Sequence, residues 1–181
     1  MTRPAPAMSP DDFPAQFRRL YDLALARHAR GERDAAAFFT GAEQAALAAH
    51  GLAPQHLYDY AEDQLTSGEP GYDQALAIEL VRRDYFLSVQ GGRPSGTVLN
   101  AADLPDKTAE IRGLVWLPRL IPKARAKLRG ELPPTLMYGC GGDRRFFRAH
   151  GLLPAEFLAR VWRHGPDEAA LVDWVVRRGA G

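Results

Sequence analysis

This 181-residue chain is poor in cysteine, lysine and isoleucine, with one, three and three of them. Cys140 alone cannot form an internal disulfide, which suits a reducing compartment, so the expected location is cytoplasmic. No uncharged apolar run approaches the roughly 18 residues that a membrane span needs. Residues 1–10 lack the apolar stretch of a secretory signal, so none is expected. A net charge of +1 gives no global pull toward nucleic acid or anionic lipid. β-branched residues are also few, with 8 Val and 3 Ile against 29 Ala and 22 Leu. Ala and Leu head the helix scale while β-branched residues favour strands, so the composition points to helices. A charged fraction of 25% with 46% hydrophobic residues fits an ordinary soluble globular chain.

Apolar periodicity predicts about eight helices. The first begins between Ser9 and Pro14, with Asp11 and Asp12 suiting its positive end, and places Phe13, Phe17, Leu20, Tyr21 and Ala24 on one face before Gly31. The second opens on the capping box Thr40-Gly41-Ala42-Glu43 and ends at His50-Gly51. The third starts near Pro54 with a stripe of Leu57, Ala61 and Leu65. The fourth, 72–90, is expected to be the longest and central, with Leu76, Leu80, Val81, Tyr85 and Val89 as its apolar face. Residues 93–112 read as a connecting loop. The fifth, 117–129, buries Leu117, Leu120, Ile121, Ala124 and Leu128, and Pro122 should kink it or delay its start. Shorter helices follow at 143–150, 154–164 and 166–178. The predicted fold is all-α: one compact domain over residues 1–181, with 1–10 as a flexible tail.

Two sequence blocks repeat. Ala49-His50-Gly51-Leu52-x-Pro54 returns as Ala149-His150-Gly151-Leu152-x-Pro154, and Val81-Arg82-Arg83 as Val176-Arg177-Arg178. This pattern suggests a duplicated helical unit. His50 and His150 then fall at helix C-termini, where a histidine can satisfy the last carbonyls. The histidines show no ligand spacing with one another, so neither a metal site nor a cofactor is expected.

Charge is unevenly spread. Residues 1–110 hold 10 Lys+Arg and 16 Asp+Glu, whereas residues 111–181 hold 13 and 6. Arg119, Lys123 and Lys127 repeat every four residues, with Arg125, Arg129, Arg144, Arg145 and Arg148 nearby. The acidic and basic parts can face each other or solvate exposed faces. The arginines can instead grip a small anion, phosphate or carboxylate, bidentately. Nucleic-acid binding ranks third, because no nucleic-acid motif accompanies the stripe. Asp59, Glu62 and Asp63 share one helix face, which can bind a cation or simply be solvated.

The richest chemistry lies in Tyr138-Gly139-Cys140-Gly141-Gly142-Asp143-Arg144-Arg145. Glycines around a thiol permit close approach, and a helix N-terminus just beyond it favours negative charge. A thiolate at Cys140 would gain from that field and from Arg144 or Arg145. Cys140 can equally be a small buried residue and Asp143 an N-cap.

Leu117-Pro118-Arg119, Lys123-Ala124-Arg125-Ala126, Gly130 and Tyr138-x-Cys140-x-x-Asp143-x-Arg145-Phe146 together resemble a bacterial family, domain-of-unknown-function 5069. The resemblance covers residues 113–174. Gly141-Gly142 stand where that family usually has Pro-Leu, which implies a more flexible loop here. The resemblance implies no activity. It implies that Arg119, Lys123, Arg125, Tyr138, Cys140, Asp143 and Arg145 form one constellation. The functional expectation is a small-anion site at Cys140–Asp143–Arg145. Arg119, Lys123, Arg125, Tyr138, Arg144 and Arg145 would contact the ligand, and Cys140 and Asp143 would carry any thiol chemistry. The rival expectation is a helical interaction module that docks a protein partner or a second copy.

Overall fold

The computed structural model describes residues 12–179. The expected cap at Ser9, Asp11 and the tail over residues 1–10 lie outside the described residues. Among those described, the fold is all-α, with eight helices: α1 (Phe13–Ala29), α2 (Gly41–Ala49), α3 (Pro54–Ser67), α4 (Tyr72–Ser88), α5 (Leu117–Arg129), α6 (Gly141–Ala149), α7 (Pro154–His164) and α8 (Glu168–Gly179). No helix among the described residues is long and apolar enough to cross a membrane.

Local signals explain the helix ends. The Thr40 hydroxyl accepts from Glu43 N at 3.3 Å, and Thr40 N donates to the Glu43 carboxylate at 2.9 Å, a closed capping box. The α2–α3 and α6–α7 corners share one hydrogen bond, Leu52 N to Leu47 O at 3.0 Å and Leu152 N to Phe147 O at 2.9 Å. His50 and His150 occupy the C-cap positions, but their imidazoles do not cap carbonyls. Each packs against a phenylalanine ring instead, edge-on to Phe13 at 4.8 Å and tilted against Phe146 at 4.4 Å between ring centroids. Packing an apolar ring edge against the core outweighs a bond to carbonyls that water can reach.

Two apolar cores result. Phe13, Phe17, Leu20, Tyr21 and Ala24 of α1 pack with Leu47, Leu57, Tyr60 and Ala61 in the first. Leu117, Leu120, Ile121, Ala124 and Leu128 of α5 pack with Phe146, Phe147, Phe157 and Val175 in the second. The α4 helix joins them, contacting α1 on one side and α5 and α7 on the other. It is no longer than α1, at 17 residues each. Its buried residues are Ala75, Ile78, Glu79, Arg82 and Phe86, not the expected face; Val89 is exposed. Leu76 and Leu80 flank the first core and Val81 and Tyr85 the second, leaving the polar pair Glu79 and Arg82 between them. Leu65 of α3 is likewise exposed, and Tyr60 takes its place inside.

The connection before α5 contains a hairpin that the sequence reading did not resolve: β1 (Glu110–Ile111) pairs antiparallel with β2 (Leu114–Val115). Arg112 and Gly113 turn it with φ of 54° and 78°, the left-handed pair of a type I′ hairpin loop. Pro122 does not delay the start of α5: the helix begins at Leu117 and holds Pro122 inside it. The acidic and basic parts of the chain do face each other: Arg144 and Arg148 reach Glu69, and Lys127 reaches Glu79.

Candidate functional site

Cys140 is the N-cap of α6, and Gly141-Gly142 are its first helical turn rather than a flexible loop. A Cβ on Gly142 would lie 2.4 Å from the Trp116 ring, so only glycine lets that ring pack here. Trp116 itself caps α5 in the left-handed region, at φ 79°. Its indole N–H donates to Asp143 Oδ1 at 3.0 Å. Asp143 Oδ2 accepts from Lys123 Nζ at 2.7 Å and from Gly139 N at 2.9 Å. The carboxylate is wholly buried and its charge is matched by a lysine that is itself buried. Buried charges persist when they are paired and multiply hydrogen-bonded, and three donors meet that condition.

Lys123 Nζ also donates to Cys140 Sγ at 3.2 Å. The thiol is partly exposed. It opens on a hollow of about 540 Å³, whose far wall is the α3 face carrying Asp59, Glu62 and Asp63. That face is therefore neither a free cation site nor plainly solvated. Asp63 pairs with Arg144 at 2.7 Å, and Asp59 accepts from Gln55 Nε2 at 2.7 Å. Burial pushes the Asp59 carboxyl up to about 7; Gln55 and Lys127 oppose this, and Glu62 and Asp63 add to it.

The remaining expected residues divide. Arg144 is buried and spent on Asp63, Glu69 and Gly139 O, bracing the loop before Cys140. Tyr138 is buried and donates its hydroxyl to Pro154 O at 2.7 Å, and burial holds its proton well above the usual phenol range, with Asp143 adding. Arg119 donates to Pro105 O, and Arg125 to Glu168 and Gly165 O, both away from the hollow. Arg145 is exposed and makes no hydrogen bond or ion pair among the described residues. The structure thus gathers Lys123, Cys140 and Asp143, backs them with Tyr138 and Arg144, and leaves Arg119, Arg125 and Arg145 outside. The presumed basic stripe is not a surface, because Lys123 and Lys127 are both buried.

A second hollow, of about 350 Å³, shares Gln55, Asp59, Pro134 and Leu136 with the first, so the two form one cleft along α3. His56 and Arg82 line its far end. Behind it, Tyr60 and Lys127 both donate to Glu79 Oε1, at 2.7 and 2.5 Å. Burial alone would raise the Glu79 carboxyl, but the Lys127 charge, with hydrogen bonds from Lys127 and Tyr60, holds the group below the usual range. Burial, followed by Lys127, drives His56 down to about 3, so its imidazole is neutral at physiological pH. From the sequence, Lys127 stood out only as part of the basic stripe and Arg82 only as part of the repeat, and none of these residues as part of a site. The available signal was two charges, Glu79 and Arg82, set three apart among Ala75, Ile78 and Phe86 at helical spacing.

Residues 104–180 match the DUF5069 family. Its description is domain of unknown function, and the match contains the whole stretch that carried the resemblance. No curated protein and no solved structure matches the chain. The DUF5069 segment runs from just before the hairpin through α8 and holds Lys123, Cys140 and Asp143. The facing wall, α3 and α4, precedes it. The cleft is therefore formed between the DUF5069 segment and the helices outside it.

Proposed function

We propose that this chain binds a small polar molecule in the hollow before Cys140 and presents the thiol to it as a nucleophile. One observation carries the reading: a partly exposed thiol faces a hollow of ligand size with an ammonium 3.2 Å from its sulfur. An ammonium that donates to sulfur stabilises negative charge there, and negative sulfur is the attacking species. Asp143 acts as a positioning residue: it fixes Lys123 but is too deeply buried to touch a ligand. Among the described residues lining this hollow, Lys123 is the one cation, beside the three carboxyl groups of Asp59, Glu62 and Asp63. That balance favours a ligand rich in hydrogen-bond donors over a bare anion at the thiol. Nucleic-acid binding draws no support, since Lys123, Lys127 and Arg144 are buried in ion pairs.

The setting we infer is the bacterial cytoplasm. The matching corners at His50 and His150 support an internal duplication of the helical unit. The test is chemical labelling. Iodoacetamide should modify Cys140 in the folded protein at pH 7 faster than in the urea-unfolded chain, and Lys123→Met should remove the advantage. Slower labelling in the folded state would count against a nucleophilic thiol.

A further inference from the structure

The guanidinium of Arg82 is almost fully buried, at 2% exposure, and it makes no ion pair among the described residues. Its Nη1 donates to Gln90 Oε1 at 3.0 Å, and its central carbon lies over the Phe86 ring, 5.2 Å from the centroid. Its Nε is buried without any hydrogen-bond partner. Glu79, one turn earlier on α4, favours the Arg82 charge from a distance but makes its direct ion pair with Lys127. Arg82 therefore has no direct ion-pair partner among the described residues. An unmatched buried charge is strongly unfavourable, and a fold that keeps one needs a partner for it.

Arg82 lines the second hollow, and the residues around it suit an oxygen anion. The guanidinium offers its donors as a planar fork, which carboxylate and phosphate oxygens match. His56 faces the same space as a neutral imidazole. Its Nδ1 lies 3.5 Å from Ala53 N and 3.8 Å from Glu79 Oε2, which leaves Nε2 as the nitrogen open to a ligand. The carboxyl that shares the hollow, Asp59, resists ionisation there. The other nearby carboxylate, Glu131, is engaged by Arg129 and Ser95. Gly130 completes the floor: a Cβ there would come within 2.5 Å of Arg82 Nη2, so a side chain would displace the guanidinium. The volume of about 350 Å³ is at the lower end for a small-molecule site.

We propose that Arg82, with the His56 imidazole, binds the carboxylate or phosphate group of a small molecule at the far end of the α3 cleft. The site goes beyond the thiol reading and does not depend on it. It also places the anion away from Arg145, on residues outside the DUF5069 segment.

Calorimetric titration of the whole chain with inorganic phosphate, and separately with acetate, tests this and tells the two anion types apart. At least one of them should bind with a dissociation constant of about a millimolar or tighter and raise the melting temperature. Arg82→Gln should abolish that heat while keeping the native helical content. Should Arg82→Gln fail to fold, the mouth of the hollow decides. Ala48 is an exposed α2 residue lining it, and Ala48→Glu should weaken binding by several-fold while Ala48→Lys strengthens it. Cys140→Ser should leave the titration unchanged, so failure of the thiol reading and failure of this one are separable. Absence of binding by both probes at about 10 mM would overturn the proposal. Undiminished binding by Arg82→Gln, or equal affinities of the two Ala48 variants, would do the same.

Discussion

Replacing Asp143 by alanine tests the arrangement behind Cys140 most severely. The change deletes the acceptor of three donors, Lys123 Nζ, Gly139 N and Trp116 Nε1. It leaves an ammonium buried to 3% exposure without its counter-ion. Breaking a buried pair from one side costs about 3–5 kcal/mol, because the surviving charge is uncompensated. The partly open hollow beside Cys140 lets water reach Lys123, which favours the lower half of that range. Against a typical stability of about 5–15 kcal/mol, the variant should still fold but with a much lower urea midpoint. Trp116 donates directly to the lost carboxylate, so tryptophan fluorescence is a fitting probe. The Lys123→Met/Asp143→Leu double variant removes both charges and should recover at least about half of the loss. A cost below about 1 kcal/mol for Asp143→Ala, at an unchanged urea slope, would refute the buried-pair argument.

Gly142→Ala should destabilise by about 1–3 kcal/mol through overpacking, since the new Cβ would meet the Trp116 ring at 2.4 Å; a neutral urea midpoint would contradict that packing. Asp59→Asn should stabilise the protein in a pH-dependent way. The folded-state pKa lies above the unfolded one, so the wild type loses stability as pH rises from about 4 to 7. The amide variant escapes that loss, and its advantage should grow over this window to at most about 4 kcal/mol, then stay flat; an advantage independent of pH would contradict the raised carboxyl. Arg144→Met should slacken the loop that holds Cys140, because four acceptors or partners on Asp63, Glu69, Ser67 and Gly139 lose it together. Faster amide exchange at residues 135–140 is the expected readout, and unchanged exchange the contrary one.

The elements that local chemistry decides were legible in the sequence. Phe13, Phe17, Leu20 and Tyr21 fall on one helical face and all are buried, and the Thr40–Glu43 capping box forms as its spacing implies. The α5 stripe is equally plain, since each of its apolar residues lies inside. The glycines of the Cys140 segment pointed instead to a more flexible loop, whereas Gly141 and Gly142 are helical and Gly142 is required by the Trp116 ring. What failed depends on partners distant in sequence. Lys123 and Lys127 resemble a solvated basic stripe until Asp143 and Glu79 are seen to meet them. Those partners are 20 and 48 residues away. The α4 helix was misjudged because its most buried face carries Glu79 and Arg82, and apolar periodicity gives no credit to charges that a fold pairs or encloses. The hairpin escaped because its two-residue strands are too short for alternation to show. His56 and Asp59 became site residues only when α3 was seen to face the segment before Cys140.

The central claim, that Lys123 arms the Cys140 thiol over a ligand-sized hollow, is tested most directly by the iodoacetamide labelling rate of the folded chain at pH 7, read by mass in wild type and Lys123→Met. Cys140 is the sole thiol, so the added mass has one source. The account predicts faster labelling of the folded wild type than of the unfolded chain, and a loss of about tenfold in Lys123→Met. A folded wild type that labels only as it unfolds, or a Lys123→Met variant that labels as fast as wild type, would contradict it.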